Sequence, residues 1–239
     1  MRTSIVSVVI PAYNEEDSIG EVLLKTNATM ETVGLPYEVI VVDDGSTDET
    51  KLRAMQYKAT VLSNGTNKGK GYAIKRGLQN ANGNIIVTMD ADGSHQPEDI
   101  PKLISPLLNG ADAVFGSRFI SQREPYSTKK LHIFGNNLFN ILIAVFTGKR
   151  ITDSQTGFRA YKKKMLDEIG ITSNGYEIET EMTMKSLKNG HIVKEEPVTF
   201  ERRKNGSSNL HPLFDGIKIF KTIIKSAINA RKEPILQFQ

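Results

Sequence analysis

Asp90 and Asp92 stand one residue apart in NIIVTMDADGSHQPEDI, residues 84–100, directly behind an apolar run. Their charges repel unless something positive lies between them. Carboxylates at this spacing in a turning backbone can share one hard divalent cation, Mg2+ or Mn2+, whose other positions go to phosphate oxygens and water. A solvated turn with two surface acids is the blander explanation of a bare DxD. The preceding strand-like run favours the site, because a turn at the carboxyl end of a buried strand opens on the ligand crevice of an α/β sheet.

Other polar clusters follow apolar runs in the same way. DDGSTD at 43–48 offers Asp43 and Asp44 as acceptors for a nucleoside's base and ribose donors, while Ser46 or Thr47 suits a cap for the next helix. PAYNEE at 11–16 reads as a turn into a capped helix. GKG at 69–71 has neither the GxxxxGK[ST] nor the GxGxxG spacing, which argues against an ATPase and a dehydrogenase and leaves a glycine-permitted close approach to a ligand. His95 is within reach of a cation at the acids, although a lone turn histidine is more often not a ligand. Glu177 and Glu179 fall at a helix start, where dipole complementarity accounts for them. Arg118, Arg159, Arg202 and Arg203 are either phosphate-gripping forks or surface charges, with Arg202 read as a surface charge.

The elements that must position these groups follow from periodicity. SIVSVVI (4–10) and the runs at 37–42, 59–64 and 84–90 are apolar and rich in β-branched residues, as in strands covered on both faces. Helical spacing separates them over 18–34, about 47–57, 67–82 and 97–109. This alternation predicts a mostly parallel central sheet flanked by helices, with right-handed crossovers and the loaded strand ends on one edge. A further strand is expected at 112–118, an apolar helix at 129–148, a polar hairpin-like segment at 152–163, a helix at 177–190 and a strand at 192–203. Residues 211–232 form an amphipathic basic helix, so the expected division is a catalytic domain over 1–210 and a C-terminal helix and tail over 211–239.

The totals narrow the class further. The chain has 239 residues, no cysteine and a net charge of +4, which excludes a disulfide framework or a thiolate metal site and fits a cytoplasmic protein. No stretch has the ~20 apolar residues needed to span a bilayer. Basic patches near 201–209 and 225–232 suit phosphorylated ligands or an anionic membrane face. Nucleic acid is not expected, since basic residues do not interleave with aromatics and tryptophan is absent.

Taken in series, PAYNEE, DDGSTD, NKGKGYA, DADGSHQPE, GSRF, DSQTGFRAY and RKNGSSN resemble the family-two inverting glycosyltransferases, and most closely the dolichyl-phosphate mannose synthase group with its glucosyl relatives. The resemblance runs from about residue 5 to 210. It implies a GT-A fold and a hexose, mannose or glucose, moved from GDP-mannose or UDP-glucose to a dolichyl or other polyprenyl phosphate. It also implies a nucleotide site made of Pro11, Tyr13, Glu15, Asp43, Asp44, Lys70, Asp90 and Ala91. Asp90 and Asp92 would hold Mg2+ or Mn2+ with Ser94, which stands where the mannose synthases often carry a glutamine. Arg118, Arg203 and Ser207 would grip the acceptor phosphate, and Asp92, Arg118, Asp153 and Arg203 are the catalytic candidates. Asp153 corresponds to an acid that serves as base toward a hydroxyl in sugar-accepting relatives; an Asx-type turn is its plainer role.

Two alternatives stay open at this level: a soluble or polysaccharide hydroxyl acceptor, with Asp153 as the required base, and a nucleotide-sugar-binding module without turnover. The apolar segment at 131–147 and the helix at 212–228 either rest peripherally on the cytoplasmic membrane face or belong to the core and an oligomer interface.

Overall fold

The computed structural model describes residues 5–120, 130–201, 203 and 211–228. Its first half alternates strand and helix: β1 (Val6–Ala12), α1 (Ile19–Val33), β2 (Tyr37–Asp43), α2 (Thr50–Ala54), β3 (Thr60–Ser63), α3 (Lys70–Asn80), β4 (Ile85–Thr88) and α4 (Ile100–Leu108). The second half runs β5 (Ala113–Ser117), α5 (Lys130–Thr147), β6 (Arg159–Lys162), α6 (Lys163–Ile169), α7 (Ile178–Lys188), β7 (Val193–Pro197) and α8 (Pro212–Ile228). One seven-stranded sheet has the order β3-β2-β1-β4-β6-β5-β7. Pairing is parallel from β3 to β4 and between β5 and β7, and antiparallel on both sides of β6. This is the mostly parallel, helix-flanked sheet that the alternation predicts.

Side chains on each strand alternate between two helical layers. Val8, Val41 and Val87 face a core completed by Leu23 and Met30 of α1 and Leu103 and Ile104 of α4. Val9, Ile40 and Ile86 face the other way, onto Ile74 of α3, Leu166 of α6 and Met182 of α7. The strands are apolar throughout because both faces are covered, and each fully buried Val or Ile stabilises the fold by about 1.5–3 kcal/mol. Helix α3 lies close on the sheet at Gly77, where a Cβ would come within 2.3 Å of Val9 Cγ1. A third cluster joins Ile143 of α5, Met184 and Leu187 of α7, and Ile219 and Ile223 of α8. Among the described residues no helix is long and apolar enough to cross a membrane.

Three local expectations change. Residues 152–163 do not fold back as a hairpin: after an irregular stretch they supply β6, which is inserted between β4 and β5. Arg159, one of the many polar residues of that segment, is 1% exposed and is neither a surface charge nor a phosphate grip. It stacks 4.2 Å over the Phe115 ring and donates to the carbonyls of Ser154, Thr156 and Glu179 and to Thr183 Oγ1, so its donors are matched by acceptors inside the core. The helix expected over 47–57 is confined to Thr50–Ala54. Neither Ser46 nor Thr47 caps it; Asp48 Oδ1 instead accepts from the Thr50 amide and hydroxyl.

Candidate active site

Strands β1, β2, β4 and β5 all end on one edge of the sheet, and the antiparallel β6 begins there. That edge holds a cleft of about 370 Å3 lined by Pro11, Tyr13, Glu15, Asp44, Lys70, Asp90, Ala91, Asp92, Ser94, Arg118 and Arg203, together with His95, Gln155, Gly157, Tyr176 and Phe200. The volume is within the range of small-molecule sites. Expected positions from separate motifs thus share one wall. Ser207 and Arg202 lie outside the described residues.

Asp90 follows β4 and meets Lys70, the first residue of α3. Lys70 Nζ lies 2.6 Å from Asp90 Oδ1 and 2.8 Å from Glu179 Oε1. Burial works against the ammonium, but the two carboxylates outweigh it and hold Lys70 above its ordinary range. Burial likewise opposes the Asp90 charge, and Lys70 outweighs it and keeps the carboxyl below its usual value. The Asp90 amide donates to His95 Nδ1 at 3.3 Å, so that nitrogen acts as an acceptor; burial between Phe158 and Phe200 favours the neutral ring. Gly157 lies close against this pair: a Cβ there would come 2.8 Å from Asp90 Oδ1 and 2.9 Å from Lys70 Nζ, so a larger residue would displace the two side chains. Glu179 stands in the first turn of α7, as expected from the sequence, and is in addition buried and paired with Lys70.

Asp92 is held differently. Its Oδ1 accepts the Ser94 amide at 3.0 Å and the Ser94 hydroxyl at 2.6 Å, so Ser94 fixes the carboxylate that it was expected to assist. Across the cleft Glu15 pairs with Arg203 and accepts from Ser18 Oγ. Desolvation, with Asp92 adding to it and Arg203 opposing, pushes the Glu15 carboxyl up to about 7 from 4.5. A raised folded-state value means that stability from this group is fully present below pH 4.5 and is lost as pH rises through about 7, because the unfolded chain ionises first. Melting curves between about pH 5 and pH 8 are therefore expected to show Glu15→Gln gaining on the wild type as pH rises. A constant difference across that range contradicts the assignment.

Arg118, just beyond β5, makes a two-pronged pair with Asp153: Nε to Oδ2 at 2.6 Å and Nη2 to Oδ1 at 2.8 Å. Burial disfavours the guanidinium charge, and Asp153 more than offsets this, holding Arg118 above its ordinary value. Asp153 is 0% exposed, and its own amide donates to Glu195. Both of its oxygens are therefore occupied and turned away from solvent.

Asp43 and Asp44, expected at the nucleoside, are also engaged within the chain. Asp43 accepts from the Ser46 amide and Ser63 Oγ. Asp44 accepts from Asn64 Nδ2 and from the amides of Lys68 and Gly69, which ties the NKGKG loop to the end of β2. Gly69, at φ +100°, makes that approach possible; a Cβ there would lie 2.4 Å from the Asn174 carbonyl. Asp44 lines the cleft, whereas Asp43 is not among its lining residues.

Among the described residues no three His, Asp or Glu side chains converge into a metal cage. The donor set nonetheless suits Mg2+ or Mn2+ shared with a diphosphate, for which one or two carboxylates and open room are the usual protein contribution. Asp92 has one oxygen outside its Ser94 bonds, and Asp90 one outside its Lys70 contact.

Comparison with known proteins agrees with this geometry. Residues 7–170 match the family described as Glycosyl transferase family 2. The chain is 32% identical over 224 residues to the glycosyltransferase AglJ of Haloferax volcanii, covering 93% of this chain and 72% of that protein. It is 35% identical over 211 residues to the dolichol-phosphate mannosyltransferase of Pyrococcus furiosus, covering 86% of this chain but only 59% of the relative. A crystal structure of glucosyl-3-phosphoglycerate synthase from Mycobacterium tuberculosis with Mn2+, uridine diphosphate and phosphoglyceric acid superposes with a TM-score of 0.75 at 23% identity, over 96% of this chain and 80% of that one. At that identity the likeness speaks for the GT-A type of fold. With its family signature spread over the strand ends that build the cleft, the chain belongs to glycosyl transferase family 2.

Proposed function

We propose that this chain transfers a hexose, mannose or glucose, from GDP-mannose or UDP-glucose to a polyprenyl phosphate such as dolichyl phosphate, with inversion. The observation that carries the acceptor class is the Arg118–Asp153 pair. A hydroxyl acceptor needs a base facing the cleft, and Asp153 has both oxygens on Arg118 and no exposure. A phosphate acceptor is already an anion and needs none. Arg118 and Arg203 line the same cleft and offer the planar charged forks that orient it. The names of the Pyrococcus furiosus relative and of the undecaprenyl-phosphate 4-deoxy-4-formamido-L-arabinose transferases, 36% identical over 169 residues in one case, support this class.

In the reaction an acceptor phosphate oxygen attacks the anomeric carbon as the bond to the nucleoside diphosphate breaks, and no proton moves. Asp92 and Asp90 would hold Mg2+ or Mn2+, which when bound offsets the charge left on the diphosphate. Lys70 sits against Asp90, placing a permanent positive charge near the same oxygens. Arg118 is kept in place by Asp153, which makes Asp153 a positioning residue.

Incubation with labelled GDP-mannose or UDP-glucose, Mn2+ and a short polyprenyl phosphate is expected to move label into the organic phase with one of the donors. Absence of label with every donor overturns the reading. Label on a hydroxyl acceptor in place of the lipid overturns the acceptor class alone.

A further inference from the structure

We infer that Asn136 and Asn140 of α5 and Glu195 of β7 are positioning residues for Arg118: they fix the backbone of residues 152–154, and through it the carboxylate that aims the guanidinium. The consequence for the acceptor rests on the proposed reading of Arg118 as a phosphate grip.

Residues 152–154 precede β6 and belong to no strand or helix. An irregular stretch next to the core needs other partners for its peptide groups. Side chains from two distant elements supply them. Glu195 accepts the Thr152 amide at 2.9 Å, the Thr152 hydroxyl at 2.9 Å and the Asp153 amide at 3.0 Å. From α5, Asn140 Nδ2 donates to the Thr152 carbonyl at 2.7 Å while its Oδ1 accepts the Ser154 amide at 3.1 Å. Asn136 Nδ2 donates to the same Thr152 carbonyl at 3.1 Å. With the peptides on either side of it held, Asp153 presents its carboxylate to Arg118 Nε and Nη2. Thr152 adds a second tie, since its Oγ1 lies 2.6 Å from the hydroxyl of Ser117, the residue before Arg118.

The residue types point the same way. Asn136 and Asn140 stand one helical turn apart and are 3% and 9% exposed, in a helix whose next residues are Ile141, Leu142 and Ile143. Asparagine is a poorer helix former than leucine, and a buried amide costs free energy unless it is hydrogen-bonded. Two of them on the buried side of an apolar helix are accounted for by the stretch they hold. Gln155, the next residue along that stretch, lines the cleft.

The test is acceptor kinetics with a short polyprenyl phosphate in detergent, paired with thermal melting. Asn140→Ala is expected to raise the acceptor KM by about tenfold, as a displaced phosphate fork would, with a smaller effect on kcat and none on the donor KM. Glu195→Gln changes a half-buried side chain outside the core and should move the acceptor KM in the same direction. Ile143→Ala controls for mere destabilisation: it opens a cavity in the same helix and should lower the melting temperature while leaving the acceptor KM within about twofold. In an Asp153→Ala background, where Arg118 has already lost its partner, Asn140→Ala should add no further rise. An unchanged acceptor KM in Asn140→Ala or Glu195→Gln, an equal rise in Ile143→Ala, or additive effects with Asp153→Ala overturns the inference. If the wild type glycosylates a hydroxyl acceptor in place of the lipid phosphate, or turns over neither, the acceptor reading alone fails. The positioning role is then decided by a crystal structure of Asn140→Ala: a displaced Arg118 supports it, and an unmoved Arg118–Asp153 fork overturns it.

Discussion

Asp92→Asn is expected to lower turnover by about two to three orders of magnitude, the cost of removing one preorganised electrostatic partner of the developing charge. The substitution keeps an oxygen where Asp92 Oδ1 now accepts both Ser94 donors, so the turn after β4 holds its shape while the negative charge is lost. Melting temperature should therefore hardly move. Manganese affinity, read by electron paramagnetic resonance in the presence of nucleoside diphosphate, should fall with activity. Turnover within a factor of two of the wild type would remove Asp92 from the reaction. Asp90→Asn is a less clean experiment, because it also leaves Lys70 to Glu179 alone in a buried setting.

Asp153→Ala is expected to lose both stability and turnover. It strips the carboxylate from a guanidinium whose side chain is only 14% exposed, and breaking a buried pair from one side costs about 3–5 kcal/mol. That residual exposure gives Arg118 some access to water, which points to the lower end. At about 3 kcal/mol the melting temperature falls by roughly 6–12 °C for a chain of this size. The kinetic signature separates positioning from base catalysis: a misplaced Arg118 raises the acceptor KM more than it lowers kcat, with Asp153→Glu restoring part of the effect. A loss confined to kcat, with an unchanged KM, would make Asp153 a base and favour a hydroxyl acceptor.

Much of the sheet was legible because its strands are buried on both faces. Continuous apolar runs such as VSVVI and IIVT have few other ways to fold when helical spacing separates them, and the acids after IIVT inherit their place from that strand. Strand β6 was hidden because it is short, follows the polar stretch TDSQTG and carries Arg159, whose burial is offset by carbonyls from residues as distant as Glu179. The role of Glu179 was hidden for a related reason. On its own helix it is a first-turn acid, and only the approach of Lys70, more than a hundred residues earlier, links it to a residue that lines the cleft. Asp44 shows the converse: two adjacent acids suggested a ligand, and the folded chain uses one of them to gather the amides of its own loop.

The reversed direction of β6 has a consequence for how such a chain can diversify. Its neighbours reach the cleft at their exits, where each turn is committed to the crossover that follows. Strand β6 meets the cleft at its entrance, so the stretch carrying Asp153, Gln155 and Gly157 can lengthen, shorten or exchange residues without altering the handedness of any βαβ unit. Novelty in what receives the sugar can accumulate at that one threshold while the parallel half keeps its geometry.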